Sequence, residues 1–93
     1  MTVTATHLII HGRVQGMGYR NWAIETANDY GLNGWVRNRA DGTVEMLLSG
    51  DTAAIAEMRR DCERGPDEAH VTRVDVQVWS GEIPVGFQQL ETA

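Results

Sequence analysis

His11–Glu25, HGRVQGMGYRNWAIE, changes character halfway along its length. An extended, β-prone run, His7-Leu8-Ile9-Ile10, feeds three glycines, Gly12, Gly16 and Gly18, and then Arg20, after which the chain reads as a helix. Glycines between a strand and a helix let successive backbone N–H groups turn inward and form a concave anion nest. The helix that follows brings its N-terminal dipole and unpaired N–H groups to the same spot. Arg20 opposes that dipole, at about 0.3–1 kcal/mol if exposed, and a bound anion would reverse the sign. A second reading stays open, in which the glycines only make a tight turn and Arg20 reaches into solvent. The stretch is not a Walker A loop, because G-x-x-x-x-G-K-[ST] is absent, and it does not fit G-x-G-x-x-G.

Outward from this stretch the periodicities define the remaining elements. Leu8 to Val14 is a first strand, with Leu8, Ile10 and Val14 on one face. From about Arg20 to Tyr30, Ala23, Ala27 and Tyr30 form an apolar helical stripe that Ile24 widens, and Gly31 stands where a C′ glycine is expected. Leu32 to Arg39 reads as a second strand, Asp41-Gly42 as a hairpin turn, and Thr43 to Ser49 as the returning strand. Asp51 suits the N-cap of a second helix with Ile55, Met58 and Cys62 on its stripe, ended by Gly65-Pro66. Val74, Val76 and Val78 alternate as a strand, and Val85 to Leu90 allows a short last one. The order β-α-β-β-α-β, with a possible fifth strand, predicts an antiparallel sheet with both helices on one face, a ferredoxin-like α/β (α+β) sandwich.

The 93 residues leave room for one domain, 1–93, with its core over about 7–90. No apolar run approaches the roughly 20 residues that cross a bilayer, and the N-terminus lacks the pattern of a signal peptide. The single cysteine, Cys62, cannot form an internal disulfide and fits a reducing, cytoplasmic setting. The net charge of −5 works against nucleic-acid binding, and the aromatic strand pattern of the common RNA-binding sheet is missing. All eight basic residues are arginine, and Arg13, Arg20, Arg37 and Arg39 cluster in and around two loops of the first half.

Other candidates have plainer readings. Asn38 ends a strand beside a turn, where asparagine usually serves turn chemistry. His7 and His11 can share a strand face, but two histidines without a carboxylate or cysteine partner make a poor metal site, so an exposed-strand role is expected. His70 is similarly plain. Cys62 fits helix packing, Asp67-Glu68 a solvated loop, and Trp22, Trp35 and Trp79 packing, with one of them a candidate for lying near a ligand.

Three motifs in order carry a resemblance. Gly12-Arg13-Val14-Gln15-Gly16-Met17-Gly18-Tyr19-Arg20 resembles the acylphosphatase signature GRVQGV-x-FR. Gly34-Trp35-Val36-Arg37-Asn38 followed by Asp41-Gly42-Thr43-Val44-Glu45 resembles GWVRN-x-x-DGTVE, and Gly65-Pro66 followed by Ala69-His70-Val71 resembles GP-x-x-A-x-V. The match runs from about Leu8 to Phe87. It implies hydrolysis of acyl phosphates to carboxylate and inorganic phosphate, with no metal and no cofactor. It also implies that Arg20 binds phosphate with the amides of Gln15, Gly16, Met17, Gly18, Tyr19 and Arg20, and that Asn38 positions the attacking water. Met17 replaces Val and Tyr19 replaces Phe. Arg39 stands where many relatives have Thr, and either adds charge to the pocket or points away. The alternative is a non-catalytic module of the same fold binding phosphate or carboxylate. The expected partners are a small acyl phosphate and inorganic phosphate, with no membrane and a monomer as the default for this size.

Overall fold

The structure is a computed structural model and describes residues 3–93. Strand β1 (Val3–Arg13) leads to helix α1 (Tyr19–Asp29), strands β2 (Asn33–Asn38) and β3 (Val44–Asp51), helix α2 (Thr52–Arg64), and strands β4 (His70–Val78) and β5 (Phe87–Gln89). The sheet order is β4-β1-β3-β2-β5. Each pairing is antiparallel except β2 with β5, which is parallel. The expected antiparallel sheet is therefore mixed. A last strand that returns from the far edge, after the loop following β4, enters alongside β2 in the same direction. This is the α+β ferredoxin-like arrangement expected from the element order.

Period-two alternation sorts the residues onto two faces. Register pairs Leu8 with Met46 and Val76, and Ile10 with Val44 and Val74. Of these, Leu8, Ile10, Val44, Met46 and Val74 join Val36 and Leu48 beneath the helices, where Ala23, Ala27, Ile55, Met58 and Cys62 complete the core, while Val76 stays exposed. The expected helical stripes are thus the buried ones, although Tyr30 is only half-buried and donates to Asp61 Oδ2 at 2.6 Å. Helix α1 ends with Gly31 and Leu32 donating to the carbonyls of Asn28 and Ala27, the paired bonds that close a Schellman turn. Asp51 Oδ2 accepts from Ala54 N–H at the start of α2.

The strand expected over Val74, Val76 and Val78 forms, and one sequence expectation, at Gly12, changes. Val78 belongs to the helix-side face yet is 90% exposed, because β4 is an edge strand. Gly12 does not belong to the anion loop: the β1–β4 register shifts between His11 and Gly12, at a φ of +126°. A Cβ there would run into the His70 carbonyl, so this glycine serves a bulge and a close backbone approach. No helix among the described residues is long and apolar enough to cross a membrane.

Candidate active site

β1 and β2 are both antiparallel to β3, so they run the same way and end together. That topology brings the loop after β1 and the last residue of β2 to one end of the sheet. A cavity of about 380 Å³ opens there, lined by Val14, Gln15, Gly16, Gly18, Tyr19, Arg20, Asn21, Asn38 and Gln89. It gathers Arg20, Asn38 and every expected loop residue except Met17. Val14, Asn21 and Gln89 are additions. Gln89 comes from β5, beside Val36, a neighbour that no local sequence signal announces.

The loop's conformation follows from its glycines. Gly16 and Gly18 take φ of 84° and 86°, a left-handed region costly for residues with a Cβ, and Gly18 is the N-cap of α1. Without a side chain, Gly18 cannot cap the helix, and the first turn contains no acidic residue. Among the described residues, the hydrogen bonds of turns and loops leave the N–H groups of Gln15 through Arg20 unused. A helix N-terminus in this condition, with Arg20 beside it, is chemically suited to an anion.

Tyr19 shows that one residue can belong to both loop and core. Its ring is buried against Trp22, and its hydroxyl donates to the Cys62 carbonyl at 2.8 Å. Burial, with smaller contributions from Cys62, pushes the phenol far above its ordinary value and keeps it a neutral donor. Burial likewise pushes the Cys62 thiol up to about 12, so this side chain packs and does not supply a thiolate.

The β2–β3 hairpin forms the other wall. Its turn is held by Asp41, whose Oδ1 accepts from Thr43 N at 3.0 Å and Thr43 Oγ1 at 2.6 Å. These two bonds, the hydroxyl's first, hold the Asp41 carboxyl below its usual range. The turn chemistry is therefore supplied by Asp41, and Asn38 is not needed for it. The Asn38 side-chain oxygen is buried without a hydrogen-bond partner from the protein. Arg39 does not line the cavity. It borders a separate depression with Arg37, Ala40, Asp41, Glu45 and Ala93.

The sheet face without helices corrects another expectation. His7 is 5% exposed, rather than lying on an open strand surface. Its Nε2 lies 2.7 Å from Glu45 Oε2, and Gln77 Nε2 lies 3.1 Å from its Nδ1. Trp79 stacks on the ring at a centroid distance of 5.6 Å and Trp35 meets it edge-on. Arg37 Nε donates to Glu45 Oε1 at 2.6 Å, with its guanidinium over Trp35. Burial alone would raise the Glu45 carboxyl, but hydrogen bonds from Arg37 and His7 outweigh it and hold the group below its ordinary value. None of the three tryptophans lines the Arg20–Asn38 cavity. His11 is half-buried and meets Asp75 at 2.9 Å.

Comparison with known proteins agrees with this architecture. The acylphosphatase family model matches residues 6–89. An acylphosphatase of Acidiphilium cryptum is 54% identical over 70 residues, covering 75% of this chain and 77% of that protein. The crystal structure of the acylphosphatase from Bacillus subtilis superposes with a TM-score of 0.88 at 32% identity, covering 96% of this chain and 99% of the other. An acylphosphatase structure from Coxiella burnetii gives 0.90 at 28% identity over 95% and 93% of the two chains.

Proposed function

The chain belongs to the acylphosphatase family, and from that premise we propose that it hydrolyses acyl phosphates to a carboxylate and inorganic phosphate, using water positioned by side chains and no metal. One observation carries the assignment of roles. The buried oxygen of Asn38 has no protein partner, and Asn38 lines the same cavity as Arg20 and the unpaired loop amides. An acceptor left unsatisfied at this position takes a hydrogen of the attacking water.

In this reading the substrate phosphate sits in the loop. The amides from Gln15 to Arg20 and the Arg20 fork hold its oxygens and stabilise the charge that builds on them. Asn38 is not basic near neutral pH, so it orients water and leaves proton removal to another group. The water oxygen bonds to phosphorus as the P–O bond to the acyl group breaks. The electron pair leaves on the carboxylate, and the water proton passes to a phosphate oxygen. A carboxylate is a good leaving group, so no strong general acid is required. The substrate offers its phosphate to the built part of the site, which favours broad acyl tolerance.

The deciding measurement is turnover of benzoyl phosphate with and without EDTA, with inorganic phosphate as competitive inhibitor. Equal rates in both support the reading, and loss of activity in EDTA overturns its metal independence. Phosphate binding without turnover of several acyl phosphates would favour the non-catalytic module instead. We further place the protein in the cytoplasm as a monomer without nucleic-acid partners. The net charge of −5 and the lone cysteine support this. Sedimentation as a dimer, or retention of RNA at low salt, would overturn the corresponding part.

A further inference from the structure

The proposed site is built from two segments, the loop after β1 and the end of β2, so phosphate and water would be held by different walls. The distance between those walls then governs the reaction, and Gln15 is the side chain that spans them. Its Nε2 donates to the carbonyls of Arg39 at 2.9 Å and Thr43 at 2.8 Å. Carbonyls only accept, so the NH₂ end of the amide must face the hairpin, and both its hydrogens are spent. The same two carbonyls close the hairpin, accepting from Gly42 N at 3.1 Å and Arg39 N at 2.9 Å. Asn38 immediately precedes this pair of anchors, and its own carbonyl accepts from Ala93 N at 3.0 Å. With Asp41 stiffening the turn, the hairpin behaves as one rigid piece, fastened to the loop through one amide.

We propose that Gln15 is a positioning residue: its side-chain amide clamps the phosphate loop to the Asn38 hairpin and sets the spacing between bound phosphate and oriented water. The inference rests on the hydrolase reading above and deepens it. Phosphate affinity depends on Arg20 and the loop amides, which Gln15 supplies only through its backbone. The side chain therefore acts on kcat and not on phosphate binding. A merely structural Gln15 would loosen both together.

The test compares wild type, Gln15→Met, Asn38→Ala and the double variant on benzoyl phosphate, with inhibition by inorganic phosphate measured for each. Methionine keeps the length of glutamine and removes the donors. A misplacement near 1 Å costs on the order of 100-fold, so Gln15→Met is expected to lower kcat by about 10- to 100-fold with phosphate inhibition nearly unchanged. With Asn38 already removed, Gln15→Met should cost nothing further, because spacing matters only to a residue that is present. If Gln15→Met fails to fold, Gln15→Asn keeps an amide too short to reach both carbonyls and should show the same split. Equal losses in kcat and phosphate affinity, independent multiplying losses in the double variant, or an unchanged kcat would each overturn the inference. An inactive wild type overturns the hydrolase reading first and this inference with it. An active wild type with an indifferent Gln15→Met overturns the inference alone.

Discussion

Glu45 and Asn38 stand on neighbouring strands and treat a buried polar atom in opposite ways. The Glu45 carboxylate is held by His7 and Arg37, with Trp35 and Trp79 covering the group on the helix-free face. The Asn38 oxygen, on the helix side and at the cavity, has no partner. The first arrangement satisfies the charge and ties three strands together. The second leaves an acceptor open where a ligand or water has access. Buried polar groups with partners support the fold, and the one without a protein partner is the atom to which the proposed reaction assigns the water.

The contrast breaks most readily at Asn38. Asn38→Ala should lower kcat by about 100- to 1,000-fold, the range for removing one positioned polar group from a transition state, while inorganic phosphate still inhibits. Its unfolding free energy in urea should not fall, because the lost oxygen had no partner. A loss of phosphate inhibition with kcat intact would reverse the roles assigned to the two walls. Arg20→Ala, by contrast, should weaken phosphate inhibition as well as kcat.

Glu45→Ala should do the reverse. Breaking a fully buried ion pair costs about 3–5 kcal/mol. The Arg37 side chain is 32% exposed, so screening reduces the expected loss to about 2 kcal/mol, read from urea melts, with kcat little changed in the folded enzyme. The pH dependence sharpens the same point. The folded carboxyl titrates below its ordinary 4.5. Its contribution is therefore complete above that value and disappears as pH falls through the depressed folded value. Wild type should lose stability more steeply than Glu45→Gln on acidification below about pH 4.5. Equal slopes would show that the carboxylate contributes nothing in this way.

Smaller effects are expected away from both groups. The Tyr19 hydroxyl reaches the carbonyl of Cys62, near the C-terminus of α2, where carbonyls lack helical partners. Tyr19→Phe should cost about 1–2 kcal/mol by the same melts. Arg60→Ala removes a contact to Glu57 at 3.3 Å between side chains that are 73% and 52% exposed. It should cost less than about 0.5 kcal/mol, and a larger loss would mean that the exposed helix face matters more than the buried polar pair implies.

Much of the fold was legible because its signals are local. The Gly31 and Gly65 helix ends, the Asp51 cap and the stripe Ile55, Met58, Cys62 each depend on residues within a few positions. The loop around Gly16 and Gly18 was legible too, as were Arg20 and the three motifs that resemble the family. Gly12 was misread as part of the nest because a bulge depends on the facing strand, here His70 and Val71. The parallel entry of β5 was hidden because a short strand's direction is decided by where the preceding loop returns.

By itself, then, the sequence determined the order of elements, the helix-side core and the residues to inspect. Steric preference and hydrophobic period act over a few residues and are written in the chain. Tertiary structure alone decided that His7 is buried against Glu45, 38 residues away, that Gln15 reaches both carbonyls of the hairpin, and that the Asn38 oxygen is left without a partner. Each depends on register between distant strands. A hydrogen bond forms only when both atoms arrive within about 3 Å, and neither atom's local sequence records the position of the other.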